Sequence, residues 1–172
     1  MSARAITKPR SGAVHPTRND LPVATREAMI ELLDARLADA VDLQTQTKQA
    51  HWNVKGPTFV PLHELYDKIH EDVAEYVDTI AERAVQLGGA THGTARQAAA
   101  RSTLPEFPDA RTGRESVEAV ANVLAKFGGA ARAAIGAATD AGDQDTADLF
   151  TEVSRGIDKW LWFAEAHLQA ER

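Results

Sequence analysis

Within 32 residues the sequence places His51, His63, Asp67, Asp78 and Glu82. Imidazole nitrogens and carboxylate oxygens in such a mixture suit Fe²⁺, Mn²⁺ or Zn²⁺. His63 and Asp67 are four residues apart, as are Asp78 and Glu82, so each pair shares a face if the segment is helical. Helical periodicity puts all four within a sector of roughly 100°. The midpoints of the two pairs lie 15 residues apart, which is about 22 Å along a helix. Ligands to one iron or zinc ion all lie about 2 Å from it, so the pairs cannot share an ion within one chain. If the helix packs antiparallel against its own copy near Asp72–Val73, each His63/Asp67 pair faces the other chain's Asp78/Glu82. Such a two-fold contact generates two equivalent sites. His51 precedes a short turn and would join His63 and Asp67 of its own chain. Acidic and histidine residues are also what an ordinary solvated helix face carries, and spacing alone leaves both readings open.

Two other metal motifs fail. His63-Glu64-Leu65-Tyr66-Asp67 begins like a zinc-protease HExxH sequence but lacks the second histidine. The Glu-x-x-His pairs that build a di-iron centre inside a single four-helix subunit are absent too.

The elements that must position these residues are helices. Met29, Leu32, Leu33, Leu37, Ala40, Val41 and Leu43 recur at spacings of three and four. They predict a helix from Thr25 to about Val54, stopped by Gly56-Pro57. A second runs from about Val60 to Leu87, with Pro61 in its first turn and Gly88-Gly89 ending it. A short helix is expected at Thr94–Arg101, a third long one from Arg114 to about Thr139 and a fourth from Thr146 to about Ala170. Gly128-Gly129 and many alanines in the third suggest close helix contact. The fold class is all-α: a four-helix bundle of ferritin-like arrangement, with a long crossover between its second and third helices.

Residues 1–22 contain Pro9, Gly12, Pro16 and Pro22 and few large apolar side chains, and are expected to form a flexible tail before a domain spanning 23–172. The net charge of −6 is uneven: residues 1–20 carry +3 and the remainder −9. An acidic body suits cation uptake and argues against a broad nucleic-acid groove. There are no cysteines, which excludes disulfide scaffolds and thiolate chemistry. With no signal-like or membrane-length apolar run, the expected location is cytoplasmic, and no membrane partner is expected.

His51-Trp52-Asn53-Val54-Lys55-Gly56 followed by Leu62-His63 and Asp67 resembles the first signature of the Dps family, DNA-binding proteins from starved cells. Val77-Asp78-Thr79-Ile80-Ala81-Glu82-Arg83 followed by Leu87-Gly88 resembles its second, and Asp158–Leu168 is similar to its last helix. The resemblance implies a dodecameric homo-oligomer, a hollow shell with ferroxidase centres at two-fold interfaces. His51, His63 and Asp67 would come from one chain, and Asp78 and Glu82 from its partner. It implies an iron-oxidising, iron-storing mini-ferritin that uses peroxide or oxygen on Fe²⁺, with zinc or manganese as alternative occupants of the same sites. Trp52 would lie near the centre, while Trp160 and Trp162 are expected to be structural. Acidic residues at the turn holding Asp140, Asp143, Asp145 and Asp148 cap a helix or line an iron-uptake pore, with Asp143 and Asp148 preferred for the pore. The tail residues Arg4, Lys8, Arg10 and Arg18 are the candidates for DNA contact through twelve-fold avidity, which would make the shell nucleoid-associated. The competing functions are a nucleoid-compacting shell and a metal-sequestering shell with little turnover.

Overall fold

The computed structural model describes residues 14–110 and 112–169. The chain order is α1 (Val23–Asn53), α2 (Phe59–Gln86), a short α3 (Ala95–Arg101), α4 (Gly113–Asp140) and α5 (Gln144–Gln169), with no strand among the described residues. α1 pairs with α2, and α4 with α5. α1 also lies against α4 and α2 against α5, which closes a four-helix bundle. The expected tail residues Arg4, Lys8 and Arg10 lie outside the described residues; Arg18 is exposed.

Apolar faces at helical spacing supply the core. On α2, Leu62, Leu65, Ile69, Val73, Ile80 and Ala84 are buried; Leu33, Leu37 and Leu43 meet them from α1. Leu124 and Phe127 of α4 and Phe150 and Ile157 of α5 complete the interior. At Gly128 an added Cβ would come within 3.2 Å of Ile157, so α4 and α5 do approach closely there. Gly129 faces open space, so only the first of the two glycines serves that contact.

Two helix ends depend on glycine. Gly88 and Gly142 have φ of +92° and +80°, and each closes a Schellman motif. Gly88 N and Gly89 N donate to the carbonyls of Val85 and Ala84; Gly142 N and Asp143 N donate to those of Thr139 and Ala138. The chain before α1 is tied to the first of these ends. His15 N donates to Gly88 O at 2.8 Å, and Arg26 of α1 donates to Leu87 O at 3.0 Å. Residues 14–22, the described part of the expected tail, therefore contact the bundle before α1 begins.

α1 has a second buried face, which is polar. Asp34 accepts from the backbone N–H of His92, contacts its ring at 2.9 Å and pairs with Arg101 at 2.7 Å. Asp39 accepts from Thr103 N, Asp42 from the Ser102 hydroxyl, and Gln46 donates to Pro105 O. These groups strap the α2–α4 crossover onto α1 and give its loop backbone hydrogen-bond partners. Trp160 is buried and donates through Nε1 to Asp72 of α2 at 2.9 Å, a structural role. Trp162, expected to be structural as well, is 64% exposed on this chain. No helix among the described residues is long and apolar enough to cross a membrane.

Candidate metal centre

The last turn of α1 and the first turns of α2 are joined by residues 54–58. Ala50, Val54 and Leu62 are buried on either side of that turn, so the two helix ends are held in fixed register. His51 and His63 face each other across it. His51 Nδ1 lies 2.9 Å from His63 O, and His63 Nδ1 lies 2.9 Å from His51 O. A carbonyl oxygen only accepts, so each Nδ1 carries the proton, and a neutral ring keeps its lone pair on Nε2. The rings stack with centroids 3.6 Å apart at 24°. Phe59 packs on His63 at 5.0 Å between centroids.

Asp67 sits one turn further along α2. Lys48 of α1 donates to its Oδ1 in a short ion pair. His51 Nδ1 lies 3.7 Å from the same oxygen, too far for a hydrogen bond but close enough to act through charge. The hydrogen bond from Lys48 holds the Asp67 carboxyl below its ordinary range, outweighing partial desolvation; nearby His51, Lys48 and His70 push in the same direction.

Asp78 and Glu82 are exposed on the far half of α2. The helix there is anchored by Arg83, which is buried beside Glu82 and pairs with Asp143 Oδ1 at 2.7 Å while donating to the Thr146 hydroxyl at 3.0 Å. Thus the chain gathers His51, His63 and Asp67 at one end of α2 and leaves Asp78 and Glu82 at the other. Among the described residues, no group of three or more His, Asp or Glu side chains is arranged to hold a metal ion within the single chain. Trp52 is 66% exposed next to His51, and Phe59 and Val60 also present apolar surface nearby.

The acidic turn differs from expectation at one residue. Asp143 is 1% exposed, and both its oxygens are taken: Oδ1 by Arg83 and Thr146 N, Oδ2 by the Thr146 hydroxyl. It caps α5 and anchors α2 rather than facing a pore. Asp145 and Asp148 are exposed.

A family profile described as Ferritin: Ferritin-like domain matches residues 30–172. A DNA protection during starvation protein from Agrobacterium fabrum is 42% identical over 156 residues, covering 90% of this chain and 96% of that protein. The chain belongs to the Dps family. Among solved structures, DpsC from Streptomyces coelicolor superposes with a TM-score of 0.89 at 30% identity, covering 98% of both chains. A Dps protein from Bacillus brevis superposes at 0.81 with 28% identity, covering 87% of this chain and all of that one. The all-helical bundle with its crossover is therefore the ferritin-like Dps fold over nearly the whole chain.

Three features of this Dps-family chain were missed from sequence. Lys48 carries no motif signal, since its pairing with Asp67 is a contact between helices. The Arg83–Asp143 pair spans 60 residues and is equally silent. His70 was available in principle, because it falls in the same helical sector as His63 and Asp67.

Proposed function

We propose that this Dps-family protein oxidises Fe²⁺ at sites shared between two copies of the chain and stores the ferric product inside a closed shell. The observation that carries this reading is the reciprocal hydrogen bonding of His51 and His63. Each ring spends its Nδ1 proton on a backbone carbonyl, the arrangement that fixes tautomer and orientation in metal-ligating histidines and raises the basicity of Nε2. Asp67, held ionised beside them, adds the first negative charge. Asp78 and Glu82 of a second copy, packed antiparallel along α2, complete the set.

Few protein ligands per iron give weak, open coordination, so the substrate Fe²⁺ binds, reacts and leaves as mineral. Peroxide accepts one electron from each of two Fe²⁺ ions and takes up two protons, giving two Fe³⁺ and two waters without a free hydroxyl radical. Oxygen serves as the slower oxidant. Exposed Asp145 and Asp148 lie in the first two turns of α5, the position proposed for cation uptake, with Asp148 the preferred residue. Removal of Fe²⁺ and peroxide together protects DNA without requiring DNA contact.

The test is anaerobic Fe²⁺ loading followed by stoichiometric peroxide, read as ferric absorbance, with particle mass measured in solution. Oxidation abolished in His51→Ala/His63→Ala supports the proposal. A monomeric particle, or oxidation undiminished in that variant, overturns it.

A further inference from the structure

One imidazole of this face has no part in the five-residue set. His70 lies one helical turn beyond Asp67 and seven residues beyond His63, so it projects into the same sector of α2. It is half-buried between α2 and α1. Its Nδ1 lies 3.0 Å from the backbone carbonyl of Gln44 on α1. The acceptor is again a carbonyl, so Nδ1 carries the proton and a neutral ring keeps its lone pair on Nε2. His51, His63 and His70 thus share one orientation device, with the ring tethered through Nδ1 to backbone.

We propose that His70 and Asp67 form a second divalent-cation position on this face, separate from the one built on His51 and His63. Lys48 and His51 both address Asp67 Oδ1; Oδ2 is the oxygen that serves a cation held with His70. On the antiparallel pairing of α2 about Asp72–Val73, His70 stands about 4 Å along the helix from the crossing, and Asp67 about 8 Å. The position therefore falls between the two shared centres, nearer the two-fold axis than either. Glu75 of the second copy stands opposite His70 in that pairing and supplies a further carboxylate. One nitrogen and two carboxylates suit a borderline divalent ion such as Fe²⁺, Co²⁺ or Zn²⁺. This inference rests on the two-copy arrangement of the proposed function.

Co²⁺ is the probe, because it reports ligand geometry by visible absorbance and does not turn over under anaerobic conditions. The full chain, stripped of metal, is titrated as wild type, His70→Asn, His70→Ala and His51→Ala/His63→Ala. Asn keeps an N–H donor at the position of Nδ1 for the Gln44 carbonyl but has nothing at Nε2. A ligand role predicts that His70→Asn and His70→Ala both lose about one Co²⁺ equivalent per chain, whereas His51→Ala/His63→Ala loses a different, tighter class. A purely structural histidine predicts a wild-type isotherm for His70→Asn, and that result overturns the proposal while leaving the proposed function intact. Absence of any Co²⁺ binding by the wild type overturns both. Crystals of the unaltered chain soaked in Co²⁺ give a second measurement that needs no variant. An anomalous peak roughly 2.1 Å from His70 Nε2 is expected, and its absence overturns the proposal.

Discussion

His51 and His63 hold each other by two mirrored hydrogen bonds, each ring's Nδ1 lying 2.9 Å from the other residue's carbonyl oxygen. Neither ring is oriented without the other's backbone, and the stacked contact at 3.6 Å adds to the mutual constraint.

The two histidines should therefore act as a unit. His51→Ala and His63→Ala are each expected to lower peroxide-driven Fe²⁺ oxidation by at least about tenfold, the scale seen when a ligand or its orienting partner is lost. The double variant should be little worse than either single one. Initial rates of ferric absorbance in a double-mutant cycle measure this, and additive losses would contradict the coupling.

Lys48 pairs with the Asp67 carboxylate. Asp67 is held below its ordinary pKa, so the pair's contribution to stability is complete above the ordinary carboxylate range. It is lost as pH falls through the lowered value. In Lys48→Met the carboxyl should return toward its ordinary value and be freer for cations. Co²⁺ should bind that variant more tightly at neutral pH, and the difference in denaturation midpoint from wild type should vanish at strongly acid pH.

Arg83 and Asp143 form a buried ion pair that joins α2 to the start of α5. Asp143→Ala strips the N-cap and leaves the guanidinium only the exposed Asp145 carboxylate at 3.8 Å, a loss expected to cost about 3–5 kcal/mol. Asp145→Ala removes only the longer, exposed contact to Arg83, at a side chain 84% exposed, and should change stability by less than about 1 kcal/mol. Urea denaturation at one fixed protein concentration compares them.

Gly156 lies under Tyr76 so closely that an added Cβ would meet the phenol oxygen at 1.9 Å. Gly156→Ala must displace the ring, and overpacking of this kind costs about 1–3 kcal/mol. Tyr76→Leu introduced on that background should recover most of the loss. Thermal melts of the two single variants and the double variant give the coupling; simple addition of the two losses would argue against the contact.

Tyr66 is fully buried, and desolvation raises its hydroxyl pKa to about 12, with the Ser116 hydroxyl pulling weakly the other way. The folded chain holds this proton more tightly than the unfolded one. The corresponding stability, roughly 2–3 kcal/mol for two pKa units, is present below pH 10 and lost between about pH 10 and 12. Urea midpoints across that range should slope downward in wild type and markedly less in Tyr66→Phe.

Much of the bundle was legible because its information is local. Apolar residues at spacings of three and four, Gly-Pro at one helix end and Gly-Gly at another place α1 and α2 within a few residues of their observed bounds. The strap between α1 and the crossover was not legible. Asp34, Asp39 and Asp42 look like a solvated face until the loop that they hold is packed against them. For the same reason Asp143 looks like a pore residue in the sequence. An acidic side chain before a helix looks the same whether it faces water or Arg83.

The sequence by itself determined that His63 and Asp67 stand apart from Asp78 and Glu82, because 1.5 Å per residue along one helix admits no other distance. It also determined the family. Tertiary structure alone decided which ring nitrogen of His51 and His63 is spent on the backbone, that Lys48 occupies Asp67, and that His70 Nδ1 is tethered to Gln44 of α1. These are contacts between helices, set by how α1 packs on α2. Periodicity along either helix alone carries no record of them.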